Sequence, residues 1–125
     1  MGRALGGKPL VLVVEDDAVT RMAAVAMLDS AGYKVVEADS GSSAVQELMR
    51  VPGIRVILTD IDMPMGIDGI KLAACVDLGW PGISIVMTSG KVKPMPGDVP
   101  RNACFVPKPY GEAKVLAAIS RMMAQ

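Results

Sequence analysis

The 125 residues are the length of one ordinary domain, and thirteen basic residues balance thirteen acidic ones. No window gathers the Lys and Arg of a nucleic-acid surface, no apolar run approaches the ~20 residues that span a bilayer, and no apolar segment of secretory length follows the N-terminus. With no histidine and two distant cysteines, the usual zinc ligands and the commonest general base are missing, so any chemistry must run through carboxylates, lysine, hydroxyls or a metal. The expectation is a cytoplasmic protein that binds neither membrane nor nucleic acid directly.

Residues 1–8 are expected to form a flexible tail. GRALGGKP, residues 2–9, nearly spells the phosphate-binding GxxxxGK[ST], but Pro9 stands where the hydroxyl belongs and a strand pattern follows where a helix is required. Residues 9–125 read as one domain. Five short apolar segments rich in β-branched residues are predicted strands: Leu10 to Val14, Lys34 to Glu37, Val56 to Thr59, Ile83 to Met87 and Ala103 to Val106.

Helical patterns lie between them. Val19, Met22, Ala23, Ala26 and Met27 share one face of a helix that Asp17 is placed to cap and Gly32 to end. Further amphipathic stretches run from about Ser42 to Met49, Ile70 to Leu78 and Glu112 to Met123. The connection between the fourth and fifth strands holds Pro94, Pro96 and Pro100, so a helix there is expected to be short, displaced or absent. Strands alternating with helices predict an α/β fold, a doubly wound five-stranded parallel sheet covered on both faces. The ten methionines mostly fall in helical stripes and read as core filler, and both cysteines as reduced core residues.

Ligands of open α/β sheets bind outside the carboxyl ends of the strands. Glu15, Asp16 and Asp17 follow the first strand, Asp60 the third, Thr88 and Ser89 the fourth, and Lys108 the fifth. Glu37 and Asp39 end the second strand without an obvious partner. Converging carboxylates suit Mg²⁺, which prefers hard oxygen ligands and would relieve their mutual repulsion. A lysine and a hydroxyl could hold the oxygens of a phosphoryl group, so the set points to phosphoryl transfer onto an aspartate. Taken singly, each has a plainer reading: helix caps for the acids, a turn residue for Thr88, a solvated charge for Lys108, core for Phe105.

VLVVEDD, ILTDIDMP followed by DG, IVMTSG and FVPKPY, in this order and spacing, resemble the response-regulator receiver domain of two-component signalling, in its stand-alone, chemotaxis-regulator-like form. The likeness runs from about Pro9 to Met123 and implies a flavodoxin-like strand order 2-1-3-4-5. By position it makes Asp60 the phosphoacceptor, with Glu15, Asp16, Asp60 and the backbone carbonyl of Asp62 as Mg²⁺ ligands. It makes Thr88 the switch hydroxyl, Phe105 the aromatic that follows it, Lys108 the phosphoryl-binding lysine and Pro109 a cis proline. Asp17 remains a helix cap and Asp68 a turn residue.

The implied partners are a sensor histidine kinase or histidine phosphotransfer protein upstream and an unknown partner downstream. The domain would not be an enzyme, although it would assist its own phosphorylation and dephosphorylation. No output domain follows Gln125, so the chain would act through a separate partner or belong to a longer one. Two features depart from the family: an extra residue in MPMGIDG, absorbed at Gly66, and the proline-rich segment 90–101, where docking rules of other members need not hold.

ILTDID also resembles the DxD signature of haloacid-dehalogenase phosphatases, which would make Asp62 a general acid, but the early Glu15/Asp16 pair speaks against it. A pseudo-receiver that never takes phosphate is the other alternative, and the complete acid, hydroxyl and lysine set argues against that. A calcium loop starting at Asp60 is not supported, because Pro64 occupies the fifth position and the bidentate glutamate is missing.

Overall fold

The computed structural model describes residues 7–63, 68–90, 95, 97, 99–109 and 111–124. Strands β1 (Leu10–Val14), β2 (Lys34–Ala38), β3 (Ile54–Asp60), β4 (Ser84–Ser89) and β5 (Ala103–Pro107) form one parallel sheet in the order β2-β1-β3-β4-β5. Among the described residues the helices are α1 (Ala18–Ser30), α2 (Gly41–Arg50), α3 (Gly69–Gly79) and α4 (Glu112–Met123). The expected doubly wound sheet is thus observed. Residues 1–6 of the expected tail, Gly66, Pro94 and Pro96 lie outside the described residues.

Alternation along the strands splits the core in two. Leu12, Val14, Ile57, Ile85 and Met87 pack against Ala44 and Leu48 of α2 and Leu72, Ala73 and Val76 of α3. On the other face Val11, Val13, Val56, Leu58, Val86 and Val106 meet α1 through Ala24, Met27 and Leu28, and α4 through Val115, Ala118, Ile119 and Met122. No helix among the described residues is long and apolar enough to cross a membrane.

Local signals set the helix ends. The Asp17 side chain accepts from the Thr20 N–H at 2.8 Å and so caps α1. Gly32, at φ +95°, follows the C-cap Ala31, and the Gly32 and Tyr33 N–H groups return to the carbonyls of Asp29 and Leu28 in a Schellman arrangement. Asp68 caps α3 through the Lys71 N–H at 2.9 Å.

The sequence-predicted buried face of α1 is wrong in phase. Val19 and Met22 are 75% and 67% exposed, Ala23 and Ala26 are also exposed, and of that stripe Met27 alone is buried. Apolar residues surround most of this helix, so periodicity could not choose a face. The polar anchors Thr20 and Arg21 at the strand ends turn Ala24, Met27 and Leu28 inward instead. Both cysteines are free but only half-buried.

One close approach fixes how α3 leaves the site loop. A Cβ on Gly69 would lie 2.5 Å from the Asp60 carbonyl oxygen and 2.7 Å from the Ile61 Cα, both backbone atoms that cannot swing aside. Gly69→Ala should therefore destabilise the fold by about 1–3 kcal/mol in urea unfolding. Gly79→Ala, in the same helix with open space around it, should be neutral or stabilising.

Candidate functional site

Four strand ends meet at the carboxyl edge of the sheet, each held by a backbone bond that continues the ladder by one residue. The Glu15 N–H donates to the Ala38 carbonyl (3.0 Å), the Ile61 N–H to Thr88 (2.8 Å) and the Lys108 N–H to Ser89 (2.9 Å). These bonds bring Glu15, Asp60, Thr88 and Lys108 together from positions up to 93 residues apart.

Asp60 is 8% exposed and Glu15 6%. Lys108 Nζ lies 3.2 Å from Asp60 Oδ2 and 3.4 Å from Glu15 Oε1, so one ammonium serves two buried carboxylates. The remaining oxygens take backbone donors: Asp60 Oδ1 accepts from the Asp62 N–H at 3.0 Å and Glu15 Oε2 from the Asp17 N–H at 3.1 Å. Asp16 is exposed, and Glu15, Asp16 and Asp60 each offer an oxygen within 4.8 Å of the others.

Burial holds the Glu15 carboxyl above its ordinary range, with the Asp60 charge adding to it, and the Asp17 N–H and Lys108 do not fully offset them. Burial alone would lower the Lys108 pKa, but the charges of Asp60 and Glu15 outweigh it and raise the value above 10.5. The pair thus suits the lysine better than the glutamate, because Lys108 faces two acids whereas Glu15 shares its lysine. Three carboxylates against one ammonium formally leave two negative charges. That balance, with hard oxygen donors and no nitrogen or sulfur ligand, fits a divalent cation of the Mg²⁺ kind.

Thr88 is buried beside Asp60, and its hydroxyl reaches the Thr59 carbonyl at 3.4 Å, the long limit of a hydrogen bond. Phe105 pairs with Met87 across β4 and β5 and lies half-buried against the core shared with α2 and α3. The Lys108–Pro109 peptide is cis, as the resemblance implied.

A family model described as the response regulator receiver domain matches residues 11–120. The chain belongs to this family. It is 35% identical over 116 residues to the response regulator receiver protein CpdR of Brucella abortus, covering 90% of this chain and 95% of that protein. It is also 31% identical over 123 residues to the sensor kinase CckA of the same organism, where the match spans 95% of this chain but 13% of the kinase. Among solved structures, a receiver protein from Sinorhizobium medicae superposes with a TM-score of 0.87 at 24% identity, covering 94% of this chain and 95% of that one. A CheY-like receiver domain from Methanospirillum hungatei gives 0.80 at 30%, covering 93% and 94%. The haloacid-dehalogenase alternative gains nothing from these matches.

Two parts of the receiver site were missed by sequence reasoning. Arg21 donates to the Glu15 carbonyl at 2.8 Å and pairs with Glu37 at 3.3 Å, tying the ends of β1 and β2 through α1. The misphased stripe concealed it. Ser89 was noted at the end of the fourth strand but its bond to Asp62 was not: the Ser89 hydroxyl donates to Asp62 Oδ2 at 2.5 Å. The two acids left unassigned on β2 have partners, Glu37 in Arg21 and Asp39 in the Ser43 hydroxyl.

A pH dependence follows from Glu15. Its folded-state pKa lies above the ordinary 4.5, so the protonated form is favoured by folding and the ionised form costs stability at neutral pH. Glu15→Gln in metal-free buffer should raise the melting temperature at pH 7.5, with the gain shrinking as pH falls through the raised folded-state value and gone below 4.5. A lower melting temperature at pH 7.5 would show that the lysine pair outweighs the burial of the acid.

Proposed function

We propose that this receiver accepts a phosphoryl group on Asp60 from the phosphohistidine of a sensor kinase or phosphotransfer protein, and signals through the resulting change of shape. The observation that carries this reading is the Lys108 ammonium 3.2 Å from Asp60 Oδ2, with Glu15 and Asp16 beside it. Kinship to a receiver protein and to a sensor kinase supports the kinase-linked setting, which would be cytoplasmic.

In this reading the P–N bond of the donor breaks as a P–O bond to Asp60 forms. Glu15, Asp16, Asp60 and the Asp62 carbonyl would hold Mg²⁺, which when bound supplies positive charge to the phosphoryl oxygens. Lys108, set free of Asp60 as that carboxylate becomes an acyl phosphate, keeps its charge and pairs with a phosphoryl oxygen. The Thr88 hydroxyl, weakly held at 3.4 Å, can leave the Thr59 carbonyl for another phosphoryl oxygen at little cost. Phe105, packed by Met87 next to Thr88, follows into the space vacated and changes the surface of β5, which biases a two-state equilibrium. The domain assists gain and loss of its own phosphoryl group, but its output is conformation. A pseudo-receiver reading would stand only if the protein fails to bind Mg²⁺ or a beryllofluoride phosphoryl analogue.

A protein donor must place its phosphohistidine at Asp60, so it has to cover the rim of the site. The exposed side chains of Val19 and Met22 stand in the first turns of α1, the helix that follows Glu15, Asp16 and the cap Asp17, and would offer such a donor apolar contact.

Labelling with acetyl phosphate and Mg²⁺, read by intact mass, should add one phosphoryl group to the wild type and none to Asp60→Asn. Label that survives this substitution sinks the assignment. Val19→Asp together with Met22→Glu should slow transfer from a kinase or phosphotransfer protein at least tenfold while leaving labelling by acetyl phosphate unchanged.

A further inference from the structure

Ser89 is 2% exposed, and two of the bonds that hold it bear on the site. It ends β4, and its carbonyl accepts the Lys108 N–H that sets the lysine into the site. Its hydroxyl donates to Asp62 Oδ2 at 2.5 Å, a charge-assisted bond from a rigid strand to a half-buried side chain in the loop after β3. Asp62 is also tied at its backbone, where its N–H donates to Asp60 Oδ1. The Asp62 carboxylate is therefore drawn toward β4 and the Thr88–Ser89 strand end, and one of its oxygens is occupied.

We propose that Ser89 is a positioning residue that restrains Asp62 and thereby lengthens the life of the phosphoryl group on Asp60. This inference rests on the phosphoacceptor reading above. Loss of the group is hydrolysis: a water oxygen bonds to phosphorus as the P–O bond to Asp60 breaks, Asp60 leaves as a carboxylate, and the water's proton must pass to a base. Asp62 is the carboxylate nearest in sequence to the acceptor that neither the lysine nor the acidic cluster uses. Held by Ser89, it has one oxygen occupied and its carboxylate anchored to β4. Released, it can take that proton, which then passes to solvent, leaving inorganic phosphate.

Ser89 thus acts through Asp62 and needs no contact with the phosphoryl group. A purely structural Ser89 would alter the site whatever stands at residue 62, whereas a restraint on the Asp62 charge matters only while that charge is there. The two cases separate in a double-substitution cycle.

The test is the rate of phosphoryl loss from the full chain after acetyl-phosphate labelling and rapid desalting, followed by intact mass, for wild type, Ser89→Ala, Asp62→Asn and the double variant. Ser89→Ala should accelerate loss about threefold or more, a fraction of what a positioned base supplies. The effect should vanish in the Asp62→Asn background, and thermal melts identify any variant that fails to fold. Unchanged or slower loss in Ser89→Ala, or an equal acceleration in both backgrounds, would overturn the role of Ser89 alone. A misfolded Ser89→Ala would overturn it too, in favour of a structural role, unless Ser89→Gly folds and shows the Asp62-dependent acceleration. A wild type that takes no label on Asp60 would overturn the phosphoacceptor reading and this inference with it.

Discussion

One lysine ammonium neutralises two buried carboxylates, and the rest of the site is arranged around that imbalance. Lys108 reaches Asp60 and Glu15 together, while Asp16 adds a third acid with no cation of its own among the described residues. The arrangement is under tension: Glu15 resists ionisation, Lys108 holds its proton more firmly than usual, and the cluster stays formally negative. Burying charges this way costs stability that a core of leucine and valine would not. It creates instead a place where a divalent cation would restore the local balance and so make room for the added charge of a phosphoryl group.

The sheet makes that cluster possible. Parallel strands all end at one edge, so residues from four separate segments arrive within a few ångströms of each other, and continuation of the ladder beyond the strands holds them there. Gly69 completes the frame, because α3 must start in backbone contact with Asp60 and Ile61. Fold and site are therefore coupled at the end of β3.

Much of this could be read from residues alone. Short β-branched segments separated by helical stretches specify a doubly wound sheet, and the rule that ligands sit at strand carboxyl ends selects Glu15, Asp16, Asp60, Thr88 and Lys108. Asp17 and Gly32 are legible because capping depends on neighbours a turn away, whereas Asp68, read as a turn residue, proves to cap α3. The phase of α1 was not, since a helix apolar nearly all round carries no periodic signal, and with it went the Arg21 clamp. The Ser89–Asp62 bond was hidden for another reason. It joins side chains 27 residues apart whose meeting depends on the path of the loop after β3, which no local pattern encodes.

Whether these strand ends form one metal-assisted phosphoacceptor centre can be tested by amide chemical-shift mapping of the isotopically labelled protein during addition of Mg²⁺, then of beryllofluoride. Mg²⁺ shifts should concentrate at Glu15, Asp16, Asp60 and Asp62, and beryllofluoride shifts should spread through Thr88 and Lys108 to Phe105, both lost in Asp60→Asn. Shifts that are absent, that persist in Asp60→Asn, or that centre on the opposite pole around Leu48 and Trp80 would contradict such a centre.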